Sequence, residues 1–192
     1  DYRLQLSEDR TRVITQVQKQ HHDWIRARQA ERLQMLDEQL LALDQQIRDL
    51  VSSCDQLSAS LARMTQIKGI GEVTAWSLLA YLPELGELNR REIAKLVGVA
   101  PLVCQSGKFK GQRRCTRGRS KVKSALWMAS LSAVRYEAPF KEFYERLKER
   151  GKPAPVARTA ACRKLLVALN ALERDQCEYK PELLFARGTQ DQ

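Results

Sequence analysis

The chain of 192 residues has only two histidines, adjacent at His21 and His22, so catalysis built on imidazole is disfavoured. Its cysteines are Cys54, Cys104, Cys115, Cys162 and Cys177, an odd number with no C-x-x-C pair. That pattern excludes a disulfide framework or a zinc ribbon and fits a reducing, cytoplasmic setting. No apolar run approaches the roughly 20 residues of a membrane span, and the acids Asp1, Glu8 and Asp9 near the start are unlike a signal peptide. No membrane partner is therefore expected. An initiator Met is also missing, which suggests a fragment of a longer protein.

Charge is abundant but uneven. The net charge is +10 and the pI about 9.6, with 43% apolar residues, enough to bury a core. Residues 1–66 hold nine Lys+Arg against ten Asp+Glu, whereas residues 67–192 hold 24 against 13. Between Lys108 and Lys123 stand eight cations and no acid: Lys108, Lys110, Arg113, Arg114, Arg117, Arg119, Lys121 and Lys123. So dense a patch repels itself unless a polyanion neutralises it. The interleaved Gly, Ser and Thr favour nucleic acid over a solvated face, and no apolar helix face is present to suit a membrane surface.

Neither Pro nor Gly occurs in residues 1–68. Apolar side chains recur there at Leu33, Leu36, Leu40, Leu43, Ile47, Leu50, Cys54, Leu57, Leu61 and Met64, in alternating steps of three and four. This is an a/d seam, narrower than the face of a helix lying on a globular core. About 32 helical residues make a rod of roughly 48 Å, which could begin upstream near Val13, Ile14 and Val17. Such a stripe needs a second helix, from a dimer or tetramer of the chain or from a segment upstream of it. We expect a coiled-coil arm over residues 1–66.

The arm runs into Ile67-Lys68-Gly69-Ile70-Gly71, followed by a new apolar helix through Trp76, Leu78 and Leu79. Glycines at such a turn allow positive φ and let backbone amides approach a phosphate. Gly69 and Gly71 thus read as a helix-hairpin-helix contact to a nucleic-acid backbone, or as a plain αα-hairpin with a glycine cap. Further on, Arg91 to Gly98 reads as a short helix. Ser106-Gly107 then stands in a loop flanked by Lys108 and Lys110. A Ser-Gly pair is usually only a turn, but here nearby cations could assist the hydroxyl and hold a phosphate, with no acid to repel it.

In this order, the elements resemble the C-terminal domain of the IS-one-ten class of insertion-sequence transposases, which includes the Piv-type DNA invertases. The resemblance rests on the hairpin at 69–71, Gly98-Val99-Ala100-Pro101, Ser106-Gly107 and the basic Arg117-Gly118-Arg119 run. It continues through the Lys121-to-Val134 helix, Phe140-x-x-Phe143-Tyr144-x-x-Leu147, Gly151-Lys152 and Arg163-Lys164-Leu165-Leu166. It implies a DNA recombinase guided by a structured RNA, with Ser106 as the nucleophile that joins the DNA phosphate. It also implies a RuvC-like acidic domain holding Mg²⁺, which these residues have no room for. The fragment should then carry no metal site or cofactor of its own and fail to complete the reaction alone. The family's coiled coil serves oligomerisation, which would assign Leu33, Leu36, Leu40, Leu43, Ile47, Leu50, Leu57 and Leu61 to an interface between protomers.

The expectation is an all-α protein: a coiled-coil arm over 1–66, a C-terminal transposase domain over 67–185 with the hairpin and basic Ser-Gly loop, and a tail over 186–192. Lys108, Lys110, Arg113 and Arg114 are the expected phosphate clamps, and Arg117, Arg119, Lys121 and Lys123 the expected backbone contacts beside the next helix. Two other readings stay open: a non-catalytic nucleic-acid-binding module in which Ser106 is a turn residue, and a protein whose role is dimerisation through the coiled coil.

Overall fold

In the computed structural model the described residues are 1–101, 105–106, 109–110, 115 and 117–182, with backbone alone at 105–106 and 109–110. Eight helices account for nearly all regular structure among them: α1 (Tyr2–Lys19), α2 (Asp23–Ser52), α3 (Asp55–Thr65), α4 (Glu72–Tyr81), α5 (Arg90–Val97), α6 (Ser120–Tyr136), α7 (Ala138–Glu149) and α8 (Ala154–Asp175). The exception is a two-residue ladder of β1 (Gln105–Ser106) with β2 (Phe109–Lys110). The fold is all-α. Two compact units divide the chain, Asp1–Ser58 and Ala59–Gln192, the division falling inside α3.

The first unit is an antiparallel pair of helices. Its direction follows from the ion pairs Arg3–Asp44 and Arg10–Asp37, whose numbers run opposite ways along α1 and α2. Leu6, Val13 and Leu36 are buried at the seam, with Val17, Leu33, Leu40 and Leu43 packed around them. The structure corrects one expectation here. Residues 2–19 are not the upstream end of a single rod; they fold back as the partner of α2. The chain turns at Gln20, His21 and His22, with extended backbone at Gln20 (φ −90°, ψ 137°) and His22 (φ −94°, ψ 123°). Arg26 Nε donates to the Gln20 carbonyl at 2.8 Å and closes that turn.

A second break separates α2 from α3. Ser52 and Ser53 hydroxyls donate to the carbonyls of Asp49 and Leu50 at 2.9 and 2.8 Å. Such local bonds compete with the helix ladder, and Asp55 then supplies a carboxylate in the first turn of the next helix. The seam is divided accordingly. Leu33 to Leu43 face α1, Leu50 is 65% exposed, Leu61 packs on the core of the second unit and Met64 is fully buried inside it. Leu61 is therefore a packing residue of the helical domain, not part of one continuous seam.

In the second unit, α6 and α8 form the centre. α6 buries Val122, Leu126, Ala129 and Ala133, and α8 buries Cys162, Leu165, Leu166 and Leu169. These positions repeat at three and four residues, one face of a helix. Ile93 and Val97 of α5, Leu78 of α4 and Phe140 of α7 complete the core. Short side chains on α8, Ala157, Ala161 and Ala168, are buried as well. Burial pushes the Cys162 thiol up to about 12, so it behaves as a small hydrophobe.

Connections are fixed by polar side chains. Asn89 caps α5 by accepting from the amides of Arg91 and Glu92 at 2.9 and 3.0 Å, while Glu92 accepts from the Asn89 amide at 3.1 Å. The loop between α4 and α5 is held by buried Asn170 of α8, which accepts from the Gly86 amide at 2.9 Å and donates to the Leu88 carbonyl at 2.8 Å. At the start of the unit, Glu173 receives Arg63 and Ser60, at 2.9 and 2.7 Å.

Candidate nucleic-acid interface

The basic loop leaves the core at the end of α5 and returns at the start of α6, and the two points of departure touch. Gly98 caps α5 in the left-handed region (φ 81°); a Cβ there would lie 1.4 Å from the Arg117 carbonyl oxygen. Gly118 (φ 118°) faces it, and a Cβ there would lie 2.3 Å from the Val97 carbonyl. Two chain segments cross backbone on backbone, which only glycine permits at both conformations. The Arg119 amide donates to the Leu96 carbonyl at 3.3 Å beside this crossing. Residues 99–117 are thus an excursion closed at its base. Within it, Gln105 pairs with Lys110 and Ser106 with Phe109 in an antiparallel ladder, so the backbone of Ser106 ends the first strand. Gly107, Lys108, Arg113 and Arg114 lie outside the described residues, as do the side chains of Ser106 and Lys110 and the tail at 186–192.

The cations after the crossing differ in what they do. Arg117 is exposed. Arg119 instead turns inward: its guanidinium holds both carboxylate oxygens of Glu84, one at 2.5 Å, and donates to the Tyr81 carbonyl at 2.9 Å. That guanidinium holds the Glu84 carboxyl below its usual range, and Glu84 raises the Arg119 value in return. Lys121 Nζ lies 4.8 Å from the centre of the Tyr81 ring, and Lys123 Nζ donates to the Cys115 carbonyl at 2.7 Å. Three of the four cations assigned to phosphate therefore engage the end of α4 and the returning limb of the loop. Their geometry is that of a brace for the loop base.

The turn between α3 and α4 is built against α6. Gly69 has φ 108°, and a Cβ there would lie 2.6 Å from the Ala133 amide nitrogen and 2.9 Å from the Ala129 carbonyl. Its glycine is required by this approach, with Ala129 and Ala133 making the room. Gly71 is exposed, has open space around it and caps α4. The Lys68 amide is already taken, donating to buried Glu137 at 3.3 Å. Glu137 also accepts from the Tyr179 hydroxyl at 3.3 Å, and the Tyr179 amide donates to Gln66 at 2.6 Å. Burial, and then Glu137, raise the Tyr179 value. Of the turn's two glycines, Gly71 faces solvent and Gly69 faces the core.

Glu84, Tyr81, Glu137 and Tyr179 were not marked by sequence reasoning. A single acid after Pro83, or a tyrosine near the C-terminal end, carries no periodicity or motif. Gly98 and Gly118 bracket the basic window, and that bracketing was the signal available for the closed base. Among the described residues no three His, Cys, Asp or Glu side chains gather to hold a metal ion. No helix among the described residues is long and apolar enough to cross a membrane.

Residues 61–145 match the family described as Transposase IS116/IS110/IS902. The matched span runs from the end of α3 through the α3–α4 turn, the closed loop and α6 into α7. No curated protein matches the chain.

Proposed function

We propose, from the premise that residues 61–145 are a transposase domain of the IS116/IS110/IS902 family, that the chain acts in site-specific DNA recombination with Ser106 as its nucleophile. The observation that carries this reading is the loop itself. The family span contains an excursion closed at its base by the Gly98–Gly118 crossing, and Ser106 ends the strand that leads to Gly107. In sequence, Ser106 is followed by Gly107 and by the cations Lys108 and Lys110, which suit a phosphate beside the serine.

In the proposed step, Ser106 Oγ attacks the scissile phosphorus in line. A new Oγ–P bond forms and the bond from phosphorus to one DNA oxygen breaks. The serine proton passes to solvent or a base, and the departing DNA oxygen takes up a proton to become a free hydroxyl. The phosphoserine diester keeps the energy of the broken ester. A DNA hydroxyl from a new partner can then attack the same phosphorus and release the serine. Strand exchange needs no nucleotide triphosphate. Lys108, Lys110, Arg113 and Arg114 serve as phosphate contacts in this reading, joined by Arg117, while Arg119, Lys121 and Lys123 hold the loop base in place.

Three further parts belong to the proposal. A structured guide RNA selects the DNA. The arm joins protomers into a dimer or tetramer. Divalent metal comes from a separate acidic domain, as the resemblance implies, and in this reading the 192 residues act together with that domain.

The test combines this chain with its metal-binding domain, Mg²⁺, the element's own RNA and end-labelled recognition DNA, with Ser106→Ala in parallel. A protein–DNA adduct on a denaturing gel is expected in the parent and not in the variant. An adduct that survives the substitution would place the nucleophile elsewhere. Tight, salt-sensitive binding with no adduct in either would leave a binding module.

A further inference from the structure

Away from the Ser106 loop, an open cleft of about 440 Å³ lies between the C-terminal end of α6, the face of α7 and the first turns of α8. Arg135, Lys141 and Arg158 line it, each from a different helix, together with Tyr136, Tyr144 and one acid, Glu145. None of the three cations forms an ion pair with another described residue, unlike Arg63 and Arg119 in the same unit. A cation in the last turn of α6 complements the helix dipole, which accounts for Arg135 alone. It does not explain why cations from α7 and α8 converge on the same cleft.

The aromatic surroundings are specific as well. Arg135 lies 6.0 Å from the ring of Tyr136, and Arg158 lies 5.5 Å from the ring of Trp127. A guanidinium resting on a ring keeps its edge N–H groups free for phosphate oxygens. Tyr136 itself is 62% exposed at the rim. Cations that follow a backbone, beside rings that accept an unstacked base, are the two parts of a single-strand binding surface. A duplex keeps its bases stacked inside and has no use for the rings.

We propose that this cleft binds a single nucleic-acid strand, its phosphates on Arg135, Lys141 and Arg158 and a base against Tyr136 or Tyr144. The site is separate from Ser106 and does not depend on that residue being a nucleophile. Its ligand chemistry is a flexible sugar–phosphate strand, from RNA or from opened DNA.

The experiment measures binding of the whole chain to labelled oligouridylate, oligothymidylate and a short DNA duplex by fluorescence anisotropy across a salt series. Arg135→Glu with Lys141→Glu should weaken binding of one or both strands about 10-fold or more. The same pair should reduce the log–log salt slope by about 1.4, two phosphates at ~0.7 each. Tyr136→Ala should weaken strand binding about 10-fold and leave the duplex nearly unchanged. The strand that responds identifies the sugar the cleft takes. Arg113→Glu with Arg114→Glu reports the basic loop separately. Unchanged strand affinity and slope in the double variant, or equal losses for strand and duplex, would overturn the proposal. Should the variants fail to fold by circular dichroism, the wild-type chain is photocrosslinked to a 4-thiouridine strand and to a 4-thiothymidine strand. Crosslinks from either at Tyr136 or Tyr144 support the cleft, and crosslinks confined to other segments overturn it.

Discussion

The two units of the chain solve the burial problem in different ways. Residues 1–58 gather only Leu6, Val13 and Leu36 in a buried cluster at a narrow seam, with Val51 buried outside it, help the seam with the Arg3–Asp44 and Arg10–Asp37 pairs, and leave Trp24, Met35, Leu41 and Leu50 more than half exposed. The second unit wraps short helices round α6 and α8 and closes its connections with buried polar groups such as Asn170. A two-helix hairpin has one face to bury and little surface to bury it against. A six-helix cluster surrounds its central helices on several sides. The basic window belongs to the second unit, where the Gly98–Gly118 crossing and the Glu84–Arg119 pair fix the base from which it leaves.

The largest effect expected of a single substitution falls at the loop base. Gly98→Ala or Gly118→Ala forces a Cβ into opposing backbone at positive φ, so denaturant unfolding should show a loss of about 3 kcal/mol or more. A loss under about 1 kcal/mol would mean that the crossing is loose. Core truncation then separates the units. Leu166→Ala, fully buried, should cost about 2–5 kcal/mol in the second unit. Leu36→Ala should cost about 2 kcal/mol and reduce amide-exchange protection within α1 and α2 while leaving α8 protected. Loss of protection throughout both units from either change would show a single cooperative block. Asn170→Ala leaves the Gly86 amide and Leu88 carbonyl without their partner, for about 2 kcal/mol by urea denaturation.

The Glu84–Arg119 brace gives a smaller, pH-dependent effect. Because the folded-state value of Glu84 lies below its unfolded one, its contribution is present above the ordinary glutamate value of about 4.3 and is lost as pH falls through the lower folded value. Urea midpoints measured downward from pH 6 should therefore fall more in the parent than in Glu84→Gln. Parallel curves would show that the brace adds nothing. At the low end, Leu50→Gln on the exposed stretch of α2 should change unfolding by no more than about 0.5 kcal/mol. If the arm joins protomers there, the same change shifts sedimentation to a lighter species.

Periodicity made the helices readable. The 3–4 spacing identified α2, and the apolar faces of α6 and α8 follow the same rule, so the all-α fold was open to inspection. The breaks at 20–22 and 53–54 were not. No Pro or Gly marks them, and they depend on Ser52, Ser53 and the extended Gln20 and His22, whose choice between helix and turn is decided by packing. The destination of Leu61 was hidden for a related reason: a heptad position does not say which partner will cover it. Charge density marked the basic window, but it did not separate cations that face solvent from those bound inward. Arg119 looks like its neighbours in sequence and differs only because Glu84, 35 residues away, meets it in the fold. The cleft of Arg135, Lys141 and Arg158 had no linear signal at all, since its residues come from three helices.

The most direct measurement is the identity of the residue joined to DNA. The chain, together with the acidic metal-binding domain proposed above, is reacted with recognition DNA, digested with trypsin and nuclease, and its nucleotide-bearing peptide sequenced by mass spectrometry. The account predicts the peptide that contains Ser106, with the added phosphate on that serine. A nucleotide on any other residue, or none despite completed strand exchange, would contradict it.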